Sequence, residues 1–125
     1  MTTGHHGMAE QTYSKGHAVL ELACETGRVA IPIARKVIQV VGLDFSPTML
    51  SVASNKINAI NNIRWVQGDM QSFELGEIFG LVIIPGHAFQ NILTPEDQVA
   101  TLNSIKRYLV SEGTIVIHID HLDVR

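Results

Sequence analysis

Three features of the sequence predict an α/β fold with three layers, α/β/α, around a mostly parallel sheet of about five strands. Short apolar runs recur at Ala18–Leu22, Val40–Leu43, Ile63–Val66, Phe79–Ile84 and Thr114–Ile119. Between them the apolar spacing changes to steps of three and four residues, the period of a helix. The runs are apolar on both faces, as strands are when helices cover a parallel sheet on both sides. Right-handed crossovers then leave few topologies.

The chain is organised around Ala18–Arg28, which reads Ala-Val-Leu-Glu-Leu-Ala-Cys-Glu-Thr-Gly-Arg. A buried strand ends in small residues and Gly27. Val29, Ala30, Ile33, Ala34 and Val37 then carry the apolar face of a helix over about Arg28 to Lys36, with Pro32 early enough to be tolerated. Strand, tight turn and helix together place a ligand beside backbone N–H groups.

The second strand ends at Asp44, and Ser46-Pro47 supplies an N-cap and a first helical proline. Met49, Leu50, Val52, Ala53 and Ile57 form the apolar face of that helix, and Ile60–Asn62 a turn. The third strand (Ile63, Trp65, Val66) closes on Gly68-Asp69-Met70, and Ser72–Gly76 is a loop. Phe79–Ile84 reads as a central strand stopped by Pro85-Gly86. Thr94-Pro95-Glu96-Asp97 opens a helix to about Leu109, Ser111-Glu112-Gly113 is a turn, and the fifth strand follows. Met1–Lys15 reads as a flexible arm, leaving residues 16–125 as one domain, with a short tail over His121–Arg125.

The bulk composition narrows the function. The 125 residues, 46% hydrophobic with net charge −3, suit one domain burying roughly two-thirds of its unfolded surface. The mild acidity gives no electrostatic ground for nucleic acid. No apolar run approaches the roughly 18 to 20 residues of a membrane span, and no basic-then-apolar leader opens the chain. A lone cysteine fits a reducing cytoplasm, and Cys24 reads as a small buried filler rather than a reactive thiol. No metal site is expected. His5-His6 lack further ligands, and His118 and Asp120 share a strand face that His121 does not. No Gly-x-Ser-x-Gly elbow and no P-loop is present.

Polar residues collect at the carboxyl ends of the strands: the Ala23–Gly27 turn, Asp44, Asp69 and Pro85–Gln90. In an open parallel sheet, ligands bind there. A carboxylate ending the second strand suits a ribose, and Asp69 suits the exocyclic amine of a purine. Each also has a plain reading, Asp44 capping the turn into Ser46 and Asp69 shaping a Gly-Asp turn. Two such acids beside a glycine-containing first turn point to a nucleoside.

Val-Leu-Glu-Leu-Ala-Cys-Glu-Thr-Gly-Arg, then Val-Val-Gly-Leu-Asp-Phe-Ser-Pro-Thr-Met-Leu, then Val-Gln-Gly-Asp-Met resembles the class I S-adenosylmethionine-dependent methyltransferases over about Ala18–Asp120. The resemblance implies a Rossmann-like fold with S-adenosylmethionine as cofactor. It places the methionine part along Ala23, Glu25 and Gly27, with Glu21 as a supporting acid behind them. It places the ribose on Asp44, the adenine by Phe45, Asp69 and Met70, and the cofactor-facing segment after the fourth strand at Pro85 to His87.

The chain departs from the family where Gly-x-Gly-x-Gly becomes Ala23-Cys24-Glu25-Thr26-Gly27. A non-glycine residue at a positive φ there costs on the order of 1 kcal/mol. Glu25 either pairs with a ligand ammonium or repels its carboxylate. The chain also lacks the family's usual C-terminal strands, which leaves the fifth strand as an uncovered edge. That edge implies a homodimer through the fifth strand, or else a piece of a larger protein.

The reading is a methyltransferase acting on a small-molecule acceptor that the sequence does not identify. Methyl transfer from a sulfonium needs little acid–base help, so no catalytic base is assigned; His87 is the candidate, with Gln90 and Asn91 beside it. A degenerate, non-catalytic domain acting through weak ligand binding or self-association is the alternative. A nicotinamide-dependent oxidoreductase ranks below both, because its Gly-x-Gly-x-x-Gly is absent.

Overall fold

The computed structural model describes residues 17–37, 39–56, 60–92 and 94–118. The elements in chain order are β1 (Ala18–Leu22), α1 (Ala30–Ala34), β2 (Val40–Asp44), α2 (Pro47–Asn55), β3 (Ile63–Gln67), β4 (Phe79–Pro85), α3 (Gly86–Gln90), α4 (Pro95–Lys106) and β5 (Leu109–His118). The five strands form one sheet in the order β3-β2-β1-β4-β5, and every neighbouring pair is parallel. The chain steps outward from β1 to β3, then crosses back to β4, so the order reverses between β1 and β4. The expected α/β/α architecture is the one observed. The arm over Met1–Lys15, Ile57, and the residues from Ile119 onward, including Asp120 and His121, lie outside the described residues.

Alternate residues of each strand feed opposite cores. On one face Val19, Val40, Leu81 and Ile83 pack with Ala30, Ile33, Ala34 and Val37, so α1 covers that side. On the other, Leu20, Leu22, Val41, Leu43, Val82 and Ile84 meet Phe73 from the loop after β3, and Ile105 and Tyr108 at and just beyond the end of α4. The Phe73 and Tyr108 rings stack with centroids 5.0 Å apart, and the Tyr108 hydroxyl donates to the Phe73 carbonyl at 3.1 Å. This pins the loop after β3 to the start of β5.

Both expected N-caps form: Ser46 Oγ accepts from Met49 N–H at 3.2 Å and Thr94 Oγ1 from Asp97 N–H at 3.0 Å. Several expectations are corrected. The first helix is shorter than Arg28–Lys36, since Pro32 has no N–H to donate and Arg35 and Lys36 bond three residues back. In α2 only Leu50 and Ala53 are buried, while Met49 and Val52 face solvent. β3 is not apolar on both faces. It is an edge strand, with Arg64 and Gln67 exposed. The segment after β4 continues as the short helix α3. Helix α4 stops at Lys106, and β5 already begins at Leu109. Ser111-Glu112-Gly113 is therefore not a turn between elements. Phe79 pairs with Leu109 but Leu81 with Thr114, so these residues bulge within β5 opposite Gly80.

Trp65 explains a glycine within an apolar strand. It pairs with Gly42 across β2 and β3, and a Cβ on Gly42 would meet its ring at 2.8 Å. The same ring reaches Gly27, where a Cβ would lie 2.9 Å from it. The indole thus joins β2 to the turn before α1. Gly42→Ala is expected to lower stability by about 1 to 3 kcal/mol, read from urea unfolding. An unchanged midpoint would show that the ring yields freely.

Candidate functional site

The strand ends on either side of the β1/β4 reversal form one crease, the place where open parallel sheets bind ligands. After β1 the chain takes three alternating left-handed residues, Ala23 (φ 53°), Glu25 (φ 55°) and Gly27 (φ 82°). Only the last is glycine. A side chain in this conformation is strained by about 1 kcal/mol or more, so other contacts must hold the turn.

Asp44 supplies them. Its Oδ2 accepts from Glu25 N–H at 2.7 Å and its Oδ1 from Ser46 N–H at 2.9 Å, while its carbonyl accepts from Gly68 N–H at 3.0 Å. The residue is 8% exposed. A carboxylate has roughly four lone-pair sites, so acceptor capacity remains toward the crease. Asp69 likewise shapes its turn, accepting from Gln71 N–H at 2.9 Å. Both acids do the plain structural work and still border open space.

The crease has two unequal halves. One is an open cleft of about 250 Å³ lined by Ala23, Leu43, Asp44, Phe45, Asp69 and Met70, with Gly68 in its floor. Phe45, at its edge, is 73% exposed. The other is a hollow of about 10 Å³ between Glu21, Cys24, Glu25, Arg28, Pro85 and His87. Ala23 borders both halves. Gly27 lies under Trp65 and lines neither.

Glu21 sits behind the small hollow, 2% exposed, with Oε1 lacking any hydrogen-bond partner. Burial pushes its carboxyl well above the usual range, and the negative Glu25 and Asp44 add to this. The Ala30 N–H and Arg28 oppose it only in part. The Cys24 thiol is also pushed up by burial, and by Glu21 and Asp44, so it stays protonated as the filler expected. Over the hollow, His87 Nε2 and Glu25 Oε2 hydrogen-bond at 2.7 Å. Sequence reasoning named both residues but not the pair. The adjacency of β1 and β4, which brings positions 62 apart together, was the missing information. Arg28 was missed as a lining residue; its place right after the turn was the available signal. Among the described residues, no group of three or more His, Cys, Asp or Glu could hold a metal ion.

Residues 19–113 match the family described as a methyltransferase domain. The demethylmenaquinone methyltransferase of Staphylococcus saprophyticus is 34% identical over 114 residues, 87% of this chain and 47% of that protein. S-adenosylmethionine-bound CalS10, an amino pentose methyltransferase from Micromonospora echinaspora, aligns with a TM-score of 0.79 at 23% identity, over 91% of this chain and 47% of that one. The glycopeptide N-methyltransferase MtfA complexed with S-adenosylmethionine aligns with a TM-score of 0.73 at 26% identity, over 88% and 48%. The chain spans about half the length of these relatives.

Glu21 makes stability depend on pH. Its folded value lies above the ordinary 4.5, so its contribution is full below that value and is lost as pH rises through the folded one. Glu21→Gln keeps the shape and removes the titration. Its melting temperature is expected to exceed that of the parent by a margin that grows from about pH 5 to about pH 8. A constant margin would mean that Glu21 is as acidic folded as unfolded.

Proposed function

Because the chain belongs to the methyltransferase domain family, we propose that the crease is its S-adenosylmethionine site and that it serves methyl transfer to a small-molecule acceptor. The observation that carries the reading is the open cleft bordered by Asp44, Phe45 and Asp69. The residues fit the cofactor. Asp44 has lone pairs left for ribose hydroxyls, Phe45 offers an exposed ring to adenine, and Asp69 offers an acceptor to its amine. Behind the small hollow, the unpartnered Glu21 Oε1 awaits a donor such as an ammonium.

When bound, the cofactor supplies an activated methyl group on a sulfonium. The protein's part is then alignment and exclusion of water. The turn and Asp44 fix the nucleoside, and Pro85 lines the small hollow beside them. His87 is the candidate base for an acceptor that must lose a proton, although its Nε2 is held by Glu25. The relatives' names, with demethylmenaquinone, an amino pentose and a glycopeptide as acceptors, support a small molecule here. No helix among the described residues is long and apolar enough to cross a membrane; action in the cytoplasm is proposed on the lone cysteine alone. The end strand β5 is the proposed surface for a homodimer, tested by sedimentation over a range of concentrations.

One observation favours the non-catalytic alternative: non-glycine residues at two left-handed positions beside a hollow of only about 10 Å³. Calorimetric titration separates the readings. S-adenosylhomocysteine is expected to bind and NAD is not. Asp44→Ala is expected to weaken the first by about tenfold or more, through the lost charge-assisted bonds to Glu25 N–H in the turn and to Ser46 N–H, whereas His87→Ala is expected not to weaken it. Adenosine binding without S-adenosylhomocysteine binding would favour the alternative. Equal tolerance of both substitutions would overturn the site.

A further inference from the structure

We propose that Glu25 is the residue that selects the amino-acid tail of the ligand, exchanging His87 for the tail's ammonium when an amino-acid-bearing adenosine enters. The inference rests on the nucleoside reading of the crease and adds a competition within it.

The open cleft has room for a nucleoside without disturbing the small hollow, which at about 10 Å³ holds one water at most. A tail passing Ala23 must therefore displace a side chain. Glu21 and Cys24 are fixed by burial at 2% and 3% exposure. The side chains of His87 and Glu25 are 46% and 41% exposed, and a pair so open to water and salt is readily broken. Removing His87 leaves an acidic carboxylate at the mouth, with the unpartnered Glu21 Oε1 behind it and the Arg28 guanidinium alongside. That set matches a zwitterionic tail, with ammonium toward the glutamates and carboxylate toward Arg28. The imidazole and the ammonium are rival donors for one acceptor, Glu25 Oε2.

Competition gives the two partners of one hydrogen bond opposite effects. In titrations of adenosine and of S-adenosylhomocysteine, His87→Ala is expected to tighten S-adenosylhomocysteine binding about threefold. Glu25→Gln is expected to weaken it about fivefold or more. Adenosine binding stays within about twofold of the parent in both, and melting temperatures confirm that both variants fold. If both variants tighten S-adenosylhomocysteine, the pair is a simple latch; if both weaken it, the pair is structural; either result overturns the exchange. Parallel changes in adenosine binding, or no change at all, overturn it too while leaving the cofactor site standing. Failure of the parent to bind either ligand overturns the cofactor reading, and the exchange with it.

Discussion

The arrangement of the crease depends on what one carboxylate holds. Asp44 ends β2, next to β1, where Leu22 and Leu43 are in register. From there its two oxygens reach the turn after β1 and the start of α2, and its carbonyl reaches the end of β3. Three loops at the carboxyl edge of the sheet are thereby tied to one residue. Charge-assisted bonds to backbone N–H groups are the stronger kind, and an N–H buried without its acceptor is destabilising. This is how a turn with alanine and glutamate at left-handed positions keeps its shape.

The same turn divides the crease. Its outer side, through Ala23 and Asp44, borders the open cleft, and its inner side carries Glu25 toward α3. Trp65 supports it from beneath, filling the space that absent Cβ atoms leave at Gly27 and Gly42. Residues at the strand ends thus place the groups that line the crease, while the His87 and Glu25 side chains over the small hollow are 46% and 41% exposed.

Much of this was legible from the sequence. The strands announced themselves by apolar runs, α2 and α4 by Ser46-Pro47 and Thr94-Pro95, and part of the open cleft's lining by acids at successive strand ends. Local signals failed where tertiary context decides. Ser111-Glu112-Gly113 carries true turn chemistry, but the pairing of β5 with β4 absorbs it as a bulge. Met49 and Val52 fit a helical stripe, yet only Leu50 and Ala53 of α2 are buried. The bond between Glu25 and His87 joins residues too distant in sequence for any periodicity to connect them.

The most direct test of the account is to follow backbone amide resonances during titration with S-adenosylhomocysteine. The account predicts the largest shifts at Ala23–Gly27, Asp44–Ser46 and Asp69–Gln71, with Glu25 and Ser46 N–H reporting the added load on the carboxylate they share. Shifts confined to other parts of the sheet, or none at saturating ligand, would contradict a nucleoside site organised by Asp44.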